Sequence, residues 1–547
     1  MATTTFYNKD VEKYTDFNTF DSFISEIGMS LEDKDSNKRI IDITPNRPDL
    51  LYFYNFIREF KLHKNIVKPH SYIIENKPIG DLYVSNEFNQ IRPYSIAFAV
   101  KGLNFKEHDL EYLINFSDKL TDTYGRKRKK IALGIHNLDM VKFPIFYVLS
   151  ENKEFEPLRF DGKIKFSDFV NNDDFKGYSD IVKNESEKYP ILKDTEKILS
   201  FVPVINSAKT SIDENTKNIL IDINGTDKTA VLNAAKMISS SLMDIGCSIY
   251  PIKVHMTNRE NSFSILEIED KSIKVSSLDF NKIIGLNLNF DECVELIEKS
   301  GYFISKYKQP NIYPIIPPYR TDVFSENDII EDMAISYGYK NIESKDIKEA
   351  SNAGRPNKIQ IYKNKIAEFS VGLGYTEASN FYLTNKEIEF EKVGRPYSKP
   401  IELMNSKTNS FTIVRVSLLP SLIENLSISS NLSMPQKLFE VGSVFELNGD
   451  MVNETIHLAM VNEGPKVNFN LIKSDLDALF RYLKMDYKLK ESEDPAFIEG
   501  RRADVYFESK KIGVIGEISP QVLENFSLSE PLIALELELK QVNYNYK

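Results

Sequence analysis

Residues 317–339, PPYRTDVFSENDIIEDMAISYGY, crowd Asp322, Asp328, Glu331 and Asp332 into one short segment behind a Pro-Pro pair, and that crowding restricts what the chain can build there. Ile329, Ile330, Met333, Ala334 and Tyr337 recur at helical spacing, which predicts a helix over 325–337. On it Asp328, Glu331 and Asp332 stand at i, i+3 and i+4, so they share a face and repel one another. Asp322, in the preceding turn, can fold back toward that face. Two readings follow. Ser325-x-x-Asp328 has the form of a capping box, and acids in a first turn complement the helix dipole. Glu331 and Asp332 have Ile335 and Ser336 four residues on, not a base, and a hard divalent cation with oxygen ligands, Mg2+, is the other way to offset them.

A chain of 547 residues accommodates about three to five domains at roughly 100–200 residues each. Its 69 basic and 80 acidic residues give a formal charge of -11, which argues against a wholesale nucleic-acid coat but permits a local basic patch. Cys247 and Cys293 are too few for a disulfide framework or a cysteine-rich zinc site and suit a reducing compartment. The opening MATTTFYNKDVEKYTDF has no apolar signal core, and no run approaches 18 apolar residues, so a soluble cytoplasmic protein is expected. The six histidines, at 63, 70, 108, 136, 255 and 457, show no paired ligand spacing and read as packing or surface residues. Neither a P-loop nor a dinucleotide-binding glycine fingerprint is present.

The periodicities predict a multidomain α+β chain. Residues 1–80 form an N-terminal α+β module in which a strand near 39–43 breaks at Pro45 and Pro48 and a helix starts near Asp49, its expected cap. In 85–262, RPYSIAFAV alternates like a strand, and a helix, a basic knot at Arg126 to Lys130 and a further strand follow. Such a charge run is either a solvated loop or a contact for an RNA backbone. Residues 265–344 carry a helix near 291–300 and the acidic helix. Residues 350–547 read as an antiparallel sheet with flanking helices.

Within 198–246, Ser200, Asn206, Asp222, Asn224 and Thr226 put hydroxyl, amide and carboxylate groups at or near strand ends. Such groups orient a water and a small polar ligand without a histidine, and they also serve as ordinary caps and turns.

Several stretches, in order, resemble the β subunit of phenylalanyl-tRNA synthetase of the archaeal and eukaryotic-cytosolic type: ITPNRPDLL, TYGRKRKKIALGIHNLD, IDINGTD, PPYRTDVFSENDIIEDMAISYGY, SLLPSLIENL with LFEVGSVF, and IGVIGEISPQVL. The resemblance spans nearly the whole chain. It implies that 85–262 is a B3/B4 editing module and 265–344 a B5 module whose Asp322, Asp328, Glu331 and Asp332 bind Mg2+. It implies a class II synthetase-like fold for 350–547 without catalytic motifs. Arg415 lacks a Glu two residues on, and the stretch VIGEISPQVLENFSLSEPLIALELEL supplies no late arginine, where such enzymes hold ATP by fixed guanidinium groups.

The implied partners are an α subunit, in an α2β2 heterotetramer, and tRNA(Phe), with ATP and phenylalanine handled through the α subunit. The implied chemistry of this chain is hydrolysis of mischarged Tyr-tRNA(Phe), with Ser200, Asn206, Asp222 and Thr226 as candidate editing residues and Asp222 taking the amino group or the tyrosine hydroxyl. INS at 205–207 and DING at 222–225 depart from the family's usual ING and DVTG. The alternative is a structural scaffold and tRNA-docking subunit without active editing. A stand-alone RNA-binding paralogue is a third reading.

Overall fold

The computed structural model describes residues 2–160, 162–170, 182, 188–256, 264–265, 271–346 and 354–539. It divides into two compact units, Met1–Asp346 and Ile347–Lys547. The architecture is α+β in both, so the expected modules 1–80, 85–262 and 265–344 lie in one unit. The first two share a core, since Phe6, Phe53 and Phe56 belong to the same apolar cluster as Phe98, Ile221 and Ile238.

In the first unit a small sheet joins Ala2–Tyr7, Lys38–Ile43 and Ser30–Lys34, in that order. The expected helix start at Asp49 is corrected: Pro48–Leu51 makes a 3-10 turn and the α-helix runs Phe53–His63. Asp49 is instead drawn into a buried ion cluster, accepting from Arg47 Nε at 3.0 Å and from Arg58 Nη2 at 3.3 Å. Arg58 also reaches Asp244 on the Lys228–Asp244 helix, which fixes the two helices to each other.

Two sheets form the next layer. One has the strand order Ile205–Asn206, Ile198–Phe201, Tyr189–Lys193, Ile145–Ser150, Asp81–Val84, Lys253–Met256. The other orders Ser248–Pro251, Tyr94–Lys101, Asn218–Gly225 and Ile131–Asn137. Asn218–Gly225 is central, antiparallel to both neighbours, with Asp222 opposite Ala97 on one side and Gly134 on the other. Its almost unbroken burial follows from its sequence, NILIDING, apolar on one face and polar but enclosed on the other.

Beyond this layer, Phe290–Lys299 begins with a capping box in which Asn289 and Glu292 bond each other's backbone N–H. The acidic helix runs Glu326–Tyr337, close to its expected span, with the Ser325 and Asp328 capping box in place. The second unit is a seven-stranded sheet ordered Thr376–Glu377, Gln436–Asn448, Met451–Glu463, Leu532–Glu538, Lys510–Ile518, Phe497–Phe507, Lys488–Glu491. All its pairings are antiparallel except the first. The helices Lys358–Gly372, Leu419–Ile428 and Phe469–Leu483 pack on it. Among the described residues, no helix is long and apolar enough to cross a membrane.

Candidate functional site

Period-2 alternation along Asn218–Gly225 sends Asp222 and Asn224 to the same face of the sheet, and there they form the floor of a cavity of about 580 Å³. Its walls come from Ser200 to Asn206, Arg128, and Ala132 to Ile135. Ser200 sits opposite Asn206 across a strand pair, and the Asn206 amide donates to the Ile135 carbonyl at 3.1 Å, tying one sheet to the other at the rim.

Asp222 is 1% exposed. The hydroxyl of Tyr147 donates to its Oδ1, and its Oδ2 lies 3.1 Å from His136 Nε2. His136, fully buried, is 2.8 Å from the Thr210 hydroxyl through Nδ1. Burial, reinforced by the adjacent Asp222 carboxylate, pushes the Tyr147 phenol well above its ordinary range, so it stays a neutral donor. Asn224 gives an N–H to the Tyr147 oxygen at 2.9 Å and receives the Nε–H of Arg92. Arg92 is 2% exposed and also donates to the carbonyls of Asn224, at 2.9 Å, and of Arg128, at 3.3 Å. Burial lowers its guanidinium to about 10.

Gly134 has a specific reason to be glycine. A Cβ there would lie 2.2 Å from Asp222 Oδ2 and 2.9 Å from His136 Nε2. A side chain at this position would therefore displace the carboxylate.

Of the residues expected from sequence, Ser200, Asn206 and Asp222 line the cavity and Thr226 does not. Thr226 is exposed and its hydroxyl donates to the Lys129 carbonyl at 3.2 Å. The strand ends at Gly225, where a Cβ would meet the Lys130 carbonyl at 2.3 Å, and the chain turns there into the helix capped by Asp227. Arg92, His136 and Tyr147 were missed by sequence reasoning. The basic knot is a turn with Arg126, Lys127 and Arg128 all at positive φ. Arg126, Lys127 and Lys129 are exposed, while Arg128 turns inward to the carbonyls of Pro203 and Val204.

The acids expected to hold Mg2+ are arranged otherwise. Arg320 takes Asp322 in a two-point grip of 2.8 and 3.0 Å and reaches Asp332 Oδ2 at 2.7 Å, which also accepts from the Tyr302 hydroxyl. Burial raises the Asp322 carboxyl, but the charge and hydrogen bonds of Arg320, with the Arg47 charge, together outweigh that and leave it below its ordinary value. Asp328 Oδ2 accepts the backbone N–H of Phe324 and Ser325 at 2.8 and 2.7 Å, and Glu331 is exposed. Among the described residues, no three His, Cys, Asp or Glu side chains are gathered to hold a metal ion. As placed, the four acids do not fit a cation cage, because a guanidinium already neutralises two of them and a helix cap engages a third.

Three family models match parts of the chain. Residues 113–242 match the B3/4 domain, 273–339 the tRNA synthetase B5 domain, and 342–539 the phenylalanyl tRNA synthetase beta chain CLM domain. The phenylalanine–tRNA ligase beta subunit of Methanosarcina acetivorans is 32% identical over 559 aligned residues, covering 99% of each chain. That of Archaeoglobus fulgidus is 32% identical over 98% of each, and that of Methanocaldococcus jannaschii 33% identical over 99% of this chain and 100% of the relative. An N-terminal fragment of the phenylalanyl-tRNA synthetase beta subunit from Pyrococcus horikoshii superposes with a TM-score of 0.58 at 27% identity, covering 62% of this chain and all of the fragment.

Proposed function

The chain belongs to the family of phenylalanine–tRNA ligase beta subunits, and from that premise we propose that it joins an α subunit in a cytoplasmic α2β2 enzyme in which the α subunit charges tRNA(Phe) with phenylalanine at the expense of ATP, while the cavity over Asp222 hydrolyses Tyr-tRNA(Phe). The division of labour is supported by Arg415, which is wholly buried, donating to Glu440 at 2.7 Å and to the Ser443 carbonyl at 2.9 Å, with its Nη2 enclosed and unpaired. A guanidinium fully enclosed in the protein is out of a triphosphate's reach.

The observation that carries the editing reading is the buried, doubly held carboxylate at the floor of a cleft of about 580 Å³. An apolar pocket rejects an added hydroxyl only weakly, so a second site that recognises the hydroxyl by polar contacts is needed to remove tyrosine. Asp222 accepts one donor on each oxygen, and a carboxylate has lone pairs for about two more. A phenol or an ammonium of the substrate supplies such a donor; phenylalanine has no phenol to offer. Ser200 and Asn206 stand on the wall above and are the groups available to hold a water against the ester.

The scaffold reading is favoured by the same pair of contacts, since Tyr147 and His136 already satisfy Asp222 without a ligand. One experiment separates the two. The chain is co-expressed with its α subunit, and hydrolysis of Tyr-tRNA(Phe) is measured beside Asp222→Ala. Rapid hydrolysis that the variant loses supports editing. A complex that charges phenylalanine yet leaves Tyr-tRNA(Phe) intact supports the scaffold.

A further inference from the structure

The second unit contains a cavity of about 510 Å³ to which neither proposed activity assigns a role. Its lining includes Glu389, Glu491, Glu493, Asp494 and Asp504, but only two cations, Arg395 and Lys511. Both cations are committed: Arg395 grips Asp494 at 3.2 and 2.9 Å and Lys511 lies 2.8 Å from Asp504. That leaves the carboxylates of Glu389, Glu491 and Glu493 without an ion-pair partner among the described residues.

Glu389 is the telling member. It belongs to a π-helical turn, Glu387–Glu391, and is 1% exposed. Its Oε1 accepts two backbone N–H groups, from Val416 at 2.8 Å and Ser417 at 2.7 Å. Its Oε2, equally buried, has no hydrogen-bond partner. A buried carboxylate oxygen left unpaired is costly, and natural structures keep few of them. We propose that this cavity binds a primary ammonium group, with Glu389 Oε2 as its hydrogen-bond acceptor and Glu491 and Glu493 supplying the attracting field.

The choice of cation follows from the acceptor. A guanidinium pairs best with both oxygens of a carboxylate at once, and Oε1 is already taken twice. An ammonium needs one acceptor and carries its charge at a point. Burial, together with the Glu536 carboxylate behind it, pushes the Glu389 carboxyl up to about 7, although the two backbone donors and Arg395 act the other way. Glu536 is itself held by His457, Ser417 and the Leu418 N–H. An arriving ammonium ionises those Glu389 carboxyls still protonated, so binding near pH 7 is accompanied by fractional proton release.

The test is calorimetric titration of putrescine into the full chain, alone and in complex with its α subunit, in two buffers of different ionisation enthalpy. We expect saturable binding with proton release at pH 7, weakened at least about tenfold by Glu389→Gln, a change that keeps the acceptor for Val416 and Ser417. Glu491→Gln with Glu493→Gln, both exposed positions, weakens binding several-fold with a steeper loss in salt. Binding to the free chain that disappears in the complex assigns the ammonium to a lysine of the α subunit; binding that persists assigns it to a small molecule. The proposal is overturned if putrescine does not saturate, if Glu389→Gln binds as well as the unaltered chain, or if hexamethylated putrescine, which has the charge but no N–H, binds equally. The cavity then holds only solvent.

Discussion

His136 Nε2 stands 3.1 Å from Asp222 Oδ2, although 86 residues separate them in the chain. The contact fixes where the carboxylate points. Replacing His136 by Ala should lower hydrolysis of Tyr-tRNA(Phe) by about 10–100-fold, the cost of losing one hydrogen bond to a charged group. Aminoacylation with phenylalanine should be unchanged. His136 acts through Asp222, so the double variant with Asp222→Ala should be no slower than Asp222→Ala alone; additive losses would assign His136 a separate role.

Gly134→Ala is a sharper probe of the same floor. Its Cβ overlaps Asp222 Oδ2, so editing should fall by about 100-fold or more, while the melting temperature changes little if the carboxylate swings aside. Full editing activity in this variant would show that Asp222 is not where the substrate is read.

Arg320→Met should destabilise the first unit by about 3–5 kcal/mol, because it leaves Asp322 and Asp332 partly buried without their cation. In the unaltered chain, millimolar Mg2+ or EDTA should leave the urea midpoint in place. An upward shift with Mg2+ would mean that the acids regroup around the ion and release Arg320.

Glu389 gives a pH signature. Its carboxyl rises from 4.5 to about 7 on folding, so the folded state holds the proton more tightly than the unfolded one. That contribution is fully present below about pH 4.5 and is lost as pH rises through 7, a change of up to about 3 kcal/mol. Glu389→Gln should therefore gain stability relative to the unaltered chain between pH 5 and pH 8.5, read as the difference in melting temperature. Glu536 behaves oppositely: burial raises its carboxyl, but His457 and Arg395 bring it down to about 2, so its contribution fades only as pH falls from 4.5 toward 2.

The local patterns were readable in the sequence and the distant ones were not. Helical spacing of Ile329, Ile330 and Met333 located the acidic helix almost to the residue, because a helix repeats its own neighbourhood. The cap assigned to Asp49 failed because Arg47 and Arg58 compete for that carboxylate, and Arg58 reaches it only once the helix is built. Asp222 was picked out as one of several polar groups at or near strand ends. Its partners Tyr147 and His136 come from other strands, so no spacing rule could join them to it. Gly134 and His136, two apart and hence on one face, were the available clue, but they point to Asp222 only when the pairing of their strands is known. Thr226 keeps the parity of Asp222 and Asn224, yet parity loses its meaning once the chain leaves the sheet at Gly225.

Arg92 holds the Asn224 side chain, the Asn224 carbonyl and the Arg128 carbonyl with one rigid, planar head. The loop bearing exposed Arg126, Lys127 and Lys129 is therefore hung from the same peg as the cavity floor. A polyanion that tugs on that loop from outside pulls on Asn224, and through it on the hydroxyl of Tyr147, so the surface and the buried carboxylate are joined by a lever only three residues long.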